Sequence, residues 1–178
     1  IRDNESKDYW SASWQPVGKD LNSYKSKCRH CMGYTCMTAN YDGVTSRALY
    51  YVPLGKSYEV WGLSITNDSA HTRSLTLSGY AEFTNHSNYE QDQVNLQYSL
   101  FITKTLFKKN RIIQQIHGNL DALPDNEQVD EKNVTERFFG LAGADISSHC
   151  GEKEHFLGRY HSYGNPQGII SGDLGNVT

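Results

Sequence analysis

The chain has 178 residues and a formal net charge of -3, from 17 Lys and Arg against 20 Asp and Glu, which allows one domain with a sizeable core and leaves too little for a second large one. Charge this mixed offers no basic footprint to nucleic acid and no polybasic run to a membrane surface, and no apolar stretch is long enough to span a bilayer. Twelve Tyr and three Trp with only four Pro suit a folded, β-rich domain and exclude a disordered segment.

In chain order, residues 9–17 and 28–35 fit neither a period of 2 nor one of 3.6, and they read as shaped loops of the kind that builds sites. Residues 34–41 and 44–52 are extended, and Asp42-Gly43 between them marks a tight hairpin. Residues 58–66 place Trp61, Leu63 and Ile65 on one face, which predicts a core position for Trp61. After a turn at Asn67-Asp68-Ser69, residues 73–83 place Leu75, Leu77, Ala81 and Phe83 together, as the strand that would pair with 58–66. Residues 94–107, 111–117 and 137–142 give three more strands, with polar surface loops expected at 84–93 and 118–136. No segment has a convincing amphipathic helix. Residues 143–178, rich in Gly, His and Tyr, read as a long ordered loop. Short strands at about ten-residue spacing predict an all-β class, a large antiparallel β-sandwich with long ordered loops.

Several groups have chemistry to offer. Leu157 to Pro166 holds Arg159, Tyr160, His161, Tyr163 and Asn165 beside two glycines; Arg presents paired donors to phosphate or vicinal hydroxyls, and Tyr a flat face with a polar tip. Arg159, Tyr160, Tyr163 and Asn165 are therefore the candidate substrate-binding residues, the alternative being a loop that only packs. Cys28, His30, Cys31 and Cys36 include one C-x-x-C, half of a zinc pattern whose second half is missing, so no metal is assigned and free thiols are the simpler reading. Arg29 and His30 serve as loop or site support, as do Trp10 and Trp14, which are expected to pack against a neighbouring domain. Asp145, Glu152 and Glu154 have no motif to recommend them, and no catalytic residue is assigned. The sequons at Asn67, Asn85, Asn133 and Asn176 carry meaning only in a secreted protein.

The runs Tyr9-Trp10-Ser11-Ala12-Ser13-Trp14-Gln15-Pro16-Val17 and Cys28-Arg29-His30-Cys31-Met32-Gly33-Tyr34-Thr35 resemble the inverting disaccharide phosphorylases of the cellobiose and cellodextrin type. So do Tyr51-Val52-Pro53-Leu54-Gly55, Glu59-Val60-Trp61, Arg137-Phe138-Phe139-Gly140 and Phe156 to Pro166. The block Val94-Asn95-Leu96-Gln97-Tyr98-Ser99 favours the cellodextrin branch, and Cys31 departs from the family pattern, which has Gly there. The resemblance implies that residues 1–178 are part of one N-terminal β-sandwich domain in a larger cytoplasmic polypeptide, with the catalytic acid in a helical barrel outside this chain. It further implies a homodimer, a β-glucan oligosaccharide with inorganic phosphate as co-substrate, and no cofactor. A free-standing carbohydrate-binding sandwich, or a phosphorylase for chitobiose or laminaribiose, are the alternative readings.

Overall fold

The computed structural model describes residues 1–83, 103–117 and 134–178. Among these, nine strands and two short helices run in the order β1 (Arg2–Asp3), β2 (Lys25–His30), β3 (Thr35–Tyr41), β4 (Val44–Tyr51), β5 (Val60–Asn67), β6 (Leu75–Thr76), β7 (Thr103–Phe107), β8 (Arg111–His117), β9 (Val134–Gly140), α1 (Lys153–Leu157) and α2 (Gln167–Ser171). Every ladder between them is antiparallel, in sheets ordered β1-β6, β2-β3-β4-β5 and β7-β8-β9. The all-β antiparallel class is the one the strand spacing predicts. The chain forms two compact units, Ile1–Ser78 with Leu157–Gly172, and Gly79–Phe156 with Asp173–Thr178.

The first unit is built on the four-stranded sheet. Asp42 and Gly43 both take positive φ, 48° and 70°, the combination that closes a two-residue hairpin with the twist its strands require. From that turn the register runs Tyr41↔Val44, Ala39↔Ser46↔Ile65 and Met37↔Ala48↔Leu63. Paired residues share a face, so these side chains form one apolar surface, while Thr38, Arg47 and Ser64 lie on the other. Trp10 and Tyr24 close over the apolar face, each 2% exposed, with Ala39 and Val44 beneath them and Ile1, Trp14, Tyr41, Ile65 and Leu75 around the rim. Trp10 packs on Tyr41 at 5.2 Å between ring centroids.

The N-terminal segment is tied to this sheet by a buried ion network. Asp3 Oδ1 accepts from the backbone N–H groups of Ser6 and Glu5, at 2.9 and 2.7 Å. Its Oδ2 receives Arg73 Nε at 2.8 Å, and the same guanidinium donates to Asp42 Oδ2 at 2.7 Å. The Ser6 N–H, then Glu5 and Arg73, hold the Asp3 carboxyl down at about 2 against the opposing effect of its burial.

In the second unit β7 and β8 turn through Lys109 and Asn110, whose φ values are 51° and 57°. Asn110 then anchors the segment after β9: its Nδ2 donates to Ala144 O and Asp145 Oδ1, and its Oδ1 accepts from Ile146 N. Phe107 stacks on His149 at 3.9 Å, and Tyr80 on Phe156 at 4.9 Å.

Six expectations are corrected. Residues 28–30 are the end of a strand, not loop, because β2 is held by its ladder to β3 while all six of its side chains are exposed. Only Leu75–Thr76 of the segment 73–83 is strand, and its partner is β1, not β5. Trp61 is on the face predicted for it but is 41% exposed, because the cover of Trp10 and Tyr24 ends nearer the hairpin turn. Trp10 is core of this chain and has no surface to give a neighbour. The segment 143–178 contains α1 and α2, each a five-residue helix, too short for a periodic signal. Of the expected loop at 118–136, the residues from Val134 on belong to β9, and 118–133 lies outside the described residues. The proposed loop at 84–93, the strand stretch 94–102 and the sequons at Asn85 and Asn133 lie outside the described residues.

Two outcomes follow from this packing. Trp10→Ala should lower stability by roughly 3–5 kcal/mol, read as a shift in the denaturant midpoint of chemical unfolding. Asp3 is depressed in the folded state, so its contribution is whole above its ordinary value of 3.8 and drains away as pH falls toward about 2. Thermal unfolding midpoints should therefore fall across that window, and Asp3→Asn should flatten the fall; an unaltered slope in the variant would count against the network.

Candidate functional site

The sequence-predicted site residues fall in two places on the first unit. One is the loop of residues 9–19, fixed by its own polar contacts. Trp14 Nε1 donates to Lys19 O at 2.8 Å, Trp14 N to Tyr24 Oη at 2.9 Å, and Tyr24 Oη to Ser11 O at 2.8 Å. Lys19 pairs with Asp8, which also accepts from Tyr41 Oη at 2.9 Å, and its ammonium lies 5.5 and 5.4 Å from the ring centroids of Tyr9 and Tyr41. Burial pushes the Asp8 carboxyl up, but Lys19, Tyr41 and the Tyr9 N–H together bring it below its ordinary value.

The C-terminal loop 158–166 lies against this one. A Cβ at Gly164 would sit 3.1 Å from Pro16 O, and Tyr9 Oη reaches Gly164 O at 3.5 Å. The two aromatic blocks that stand about 150 residues apart in sequence thus meet at one edge of the unit. Within the loop, Asn165 Oδ1 accepts from Ser162 N and Ser162 Oγ at 2.8 and 2.7 Å, and His161 Nδ1 contacts Asn165 O at 2.7 Å. Asn165 is therefore the residue that shapes the loop. Gly158 has φ of 80°, and a Cβ there would come within 2.6 Å of Gln167 Cβ, so no larger residue fits. Arg159 is exposed, Tyr160 is 97% exposed in the left-handed region at φ 66°, and Tyr163 is 40% exposed. The arrangement exposes Arg159 and Tyr160, and Tyr163 in part.

Arg29 and His30 are elsewhere, at the far end of β2. Six residues of β3 separate the row His30↔Thr35↔Tyr50↔Trp61 from Tyr41 beside Trp10, a distance of roughly 20 Å. There the turn Cys31 to Thr35, with Tyr50, Tyr51, Val52 and Glu59, lines an open groove of about 350 Å³. Tyr50 meets Trp61 edge-on at 5.9 Å, and Trp61 Nε1 donates to Glu59 Oε1 at 2.8 Å. The Tyr34 phenol is pushed up, first by its hydrogen bond to Cys31 and that thiol's charge, with Arg29 opposing. Flat aromatic faces beside a single carboxylate fit a sugar ring better than an anion. Sequence reasoning did not single out Tyr34, Tyr50, Tyr51 or Glu59 as site residues, although three of them lie in the pieces that carry the family resemblance.

Among the described residues no three His, Cys, Asp or Glu side chains converge as a metal site. Cys28, Cys31, Cys36 and Cys150 are all thiols, and Cys150 Sγ donates to Glu152 O at 3.2 Å. Asp145 is engaged by Asn110. No helix among the described residues is long and apolar enough to cross a membrane.

Comparison with known proteins places these motifs. The family model described as glycosyl hydrolase 94, supersandwich domain, matches residues 1–178. The chain is 32% identical over 177 residues to an N,N'-diacetylchitobiose phosphorylase of Vibrio proteolyticus, covering 99% of this chain and 20% of that protein. A protein of the same name from Vibrio furnissii is 30% identical, with 99% of this chain and 20% of the relative covered, and a solabiose phosphorylase of Paenibacillus borealis is 26% identical, with 99% and 21% covered. The chain thus spans about a fifth of the length of these relatives. With its antiparallel sheets and a match along its whole length, the chain belongs to the glycosyl hydrolase 94 supersandwich domain family.

Proposed function

We propose that this chain is the N-terminal supersandwich portion of a glycoside phosphorylase that cleaves a β-linked disaccharide with inorganic phosphate. The observation that carries this reading is the unbroken similarity of residues 1–178 to proteins named as disaccharide phosphorylases. The reaction needs one carboxylic acid to protonate the leaving oxygen, while phosphate attacks the anomeric carbon from the opposite face and inverts it. Phosphate takes the place of the water and its base, so no further cofactor is required. The acid belongs to the remainder of the polypeptide, a helical barrel.

N,N'-Diacetylchitobiose is the leading substrate, supported by two relatives of that name at 32% and 30% identity. Cellobiose or a cellodextrin is the second reading, favoured by the block Val94 to Ser99, which lies outside the described residues. Arg159, Tyr160 and Tyr163 serve the sugar or the phosphate from the loop that Asn165 shapes, across a homodimer contact. A cytoplasmic location suits four unpaired thiols.

The full-length protein, incubated with phosphate and N,N'-diacetylchitobiose, cellobiose or solabiose in turn, should release a sugar 1-phosphate from the first. Release from cellobiose alone would select the second reading, and no phosphate-dependent release from any would remove phosphorolysis. Arg159→Ala should lower kcat/KM by roughly tenfold or more, the loss of one charge-assisted contact, at an unchanged melting temperature. Unchanged kinetics would return the loop to packing.

A further inference from the structure

At the groove end Cys28 and His30 form a pair that the phosphorolysis proposed above does not call on. Cys28 Sγ lies 3.3 Å from His30 Nε2, and the other ring nitrogen, Nδ1, lies 3.0 Å from Thr35 Oγ1. The three residues share one face of the sheet: Cys28 and His30 are two apart on β2, and Thr35 is the cross-strand partner of His30. Both Cys28 and His30 are exposed, on a strand that forms the edge of the four-stranded sheet. A thiol beside an imidazole whose far nitrogen is held by a hydroxyl is the arrangement that readies sulfur for attack.

We propose that Cys28 is a reactive thiol, a site of reversible modification by low-molecular-weight disulfides, with His30 as its base. With Nδ1–H donating to Thr35 Oγ1, the Nε2 lone pair takes the Cys28 proton. The thiolate attacks one sulfur of the incoming disulfide, the S–S bond breaks, and the departing thiolate recovers the proton from the imidazolium. The net change is one protein thiol and one disulfide giving a mixed disulfide and one free thiol.

The neighbouring thiols do not compete by closing an internal bridge. Three residues of extended chain put the Cys28 and Cys31 Cα atoms roughly 10 Å apart, beyond the reach of a disulfide. Cys36 pairs across from Arg29, on the opposite face from Cys28. The product is thus a mixed disulfide that persists until a free thiol reverses it.

The test uses the native full-length protein with a substoichiometric aromatic disulfide such as Ellman's reagent, then with oxidised glutathione, the modified residue being located by peptide mass spectrometry. Cys28 should be modified first, and Cys28→Ser should abolish the fast phase. His30→Gln should slow that phase by at least about tenfold, the lower end of what a positioned base contributes. Thr35→Val, which removes only the contact to Nδ1, should slow it by a smaller factor and serves if His30→Gln does not fold. A fast phase that maps to Cys31, Cys36 or Cys150, or a rate unchanged in the folded variant, overturns the proposal. None of these readouts depends on what sugar the parent protein cleaves.

Discussion

Much of the first unit depends on Trp10 packing against one face of the four-stranded sheet. Val44, Ala39 and Tyr41 make a surface there over which Trp10 and Tyr24 are buried. Burial of a Trp is worth several kcal/mol, and it pins residue 10, whose backbone exchanges two hydrogen bonds with Ile1. Once Trp10 is fixed, the chain before it runs back antiparallel to β6, with Asp3 meeting Arg73. The chain after it must leave through Ser11 and Trp14, whose backbone groups Tyr24 Oη satisfies. A buried phenol is thereby matched with buried backbone, and the loop of residues 9–19 becomes a rigid shelf without secondary structure. The C-terminal loop rests on this shelf through Tyr9 and Pro16.

What the sequence revealed of this depended on how each element obtains its stability. Asp42-Gly43 was legible because a turn with two positive φ values selects those residues. Ile65, Leu63 and Trp61 were assigned to the correct face because a strand has a fixed period. Their burial was not legible, since period says which residues align and nothing about how far the lid extends over them. Strand β2 was missed for the opposite reason: Lys25-Ser26-Lys27-Cys28-Arg29-His30 is held by backbone pairing at an edge, and an edge strand exposed on both faces has no alternation to show. The turn at Lys109-Asn110 lacks a glycine, so its chemistry was silent, although Asn110 tolerates the conformation and has three partners to hold it there. The two-residue pairing of β1 with β6 is too short for any pattern.

The candidate site divided in the same way. The residue types around 157–166 marked a loop worth attention, and its meeting with residues 9–17 is a long-range contact that no local pattern encodes. Asn165 looked like a ligand donor, yet its carbonyl oxygen is used by Ser162. The polar residue that gives a loop its shape and the one that binds from it are the same types, so only contacts separate them. Arg29 and His30 were grouped with Trp10 and Trp14 by sequence proximity, and β3 then carries them to the other end of the sheet.

That separation bears on how the domain would serve a phosphorylase. A disaccharide is much shorter than the roughly 20 Å between the two ends, so one bound sugar can touch only one of them. The groove at the β2–β3 turn offers Tyr34, Tyr50 and Tyr51 with the carboxylate of Glu59, and the nearby Arg29 is engaged with Tyr34. Phosphate beside that carboxylate would meet a like charge. The loop end carries an exposed Arg159 and Tyr160, a partly exposed Tyr163, and a backbone made stiff by Ser162 and Asn165. A guanidinium offers phosphate two parallel donors, and a stiff loop loses little entropy in presenting them. On electrostatic grounds the loop end is the one suited to the phosphorolysis proposed, which leaves the groove end, with its reactive thiol, free for a separate role.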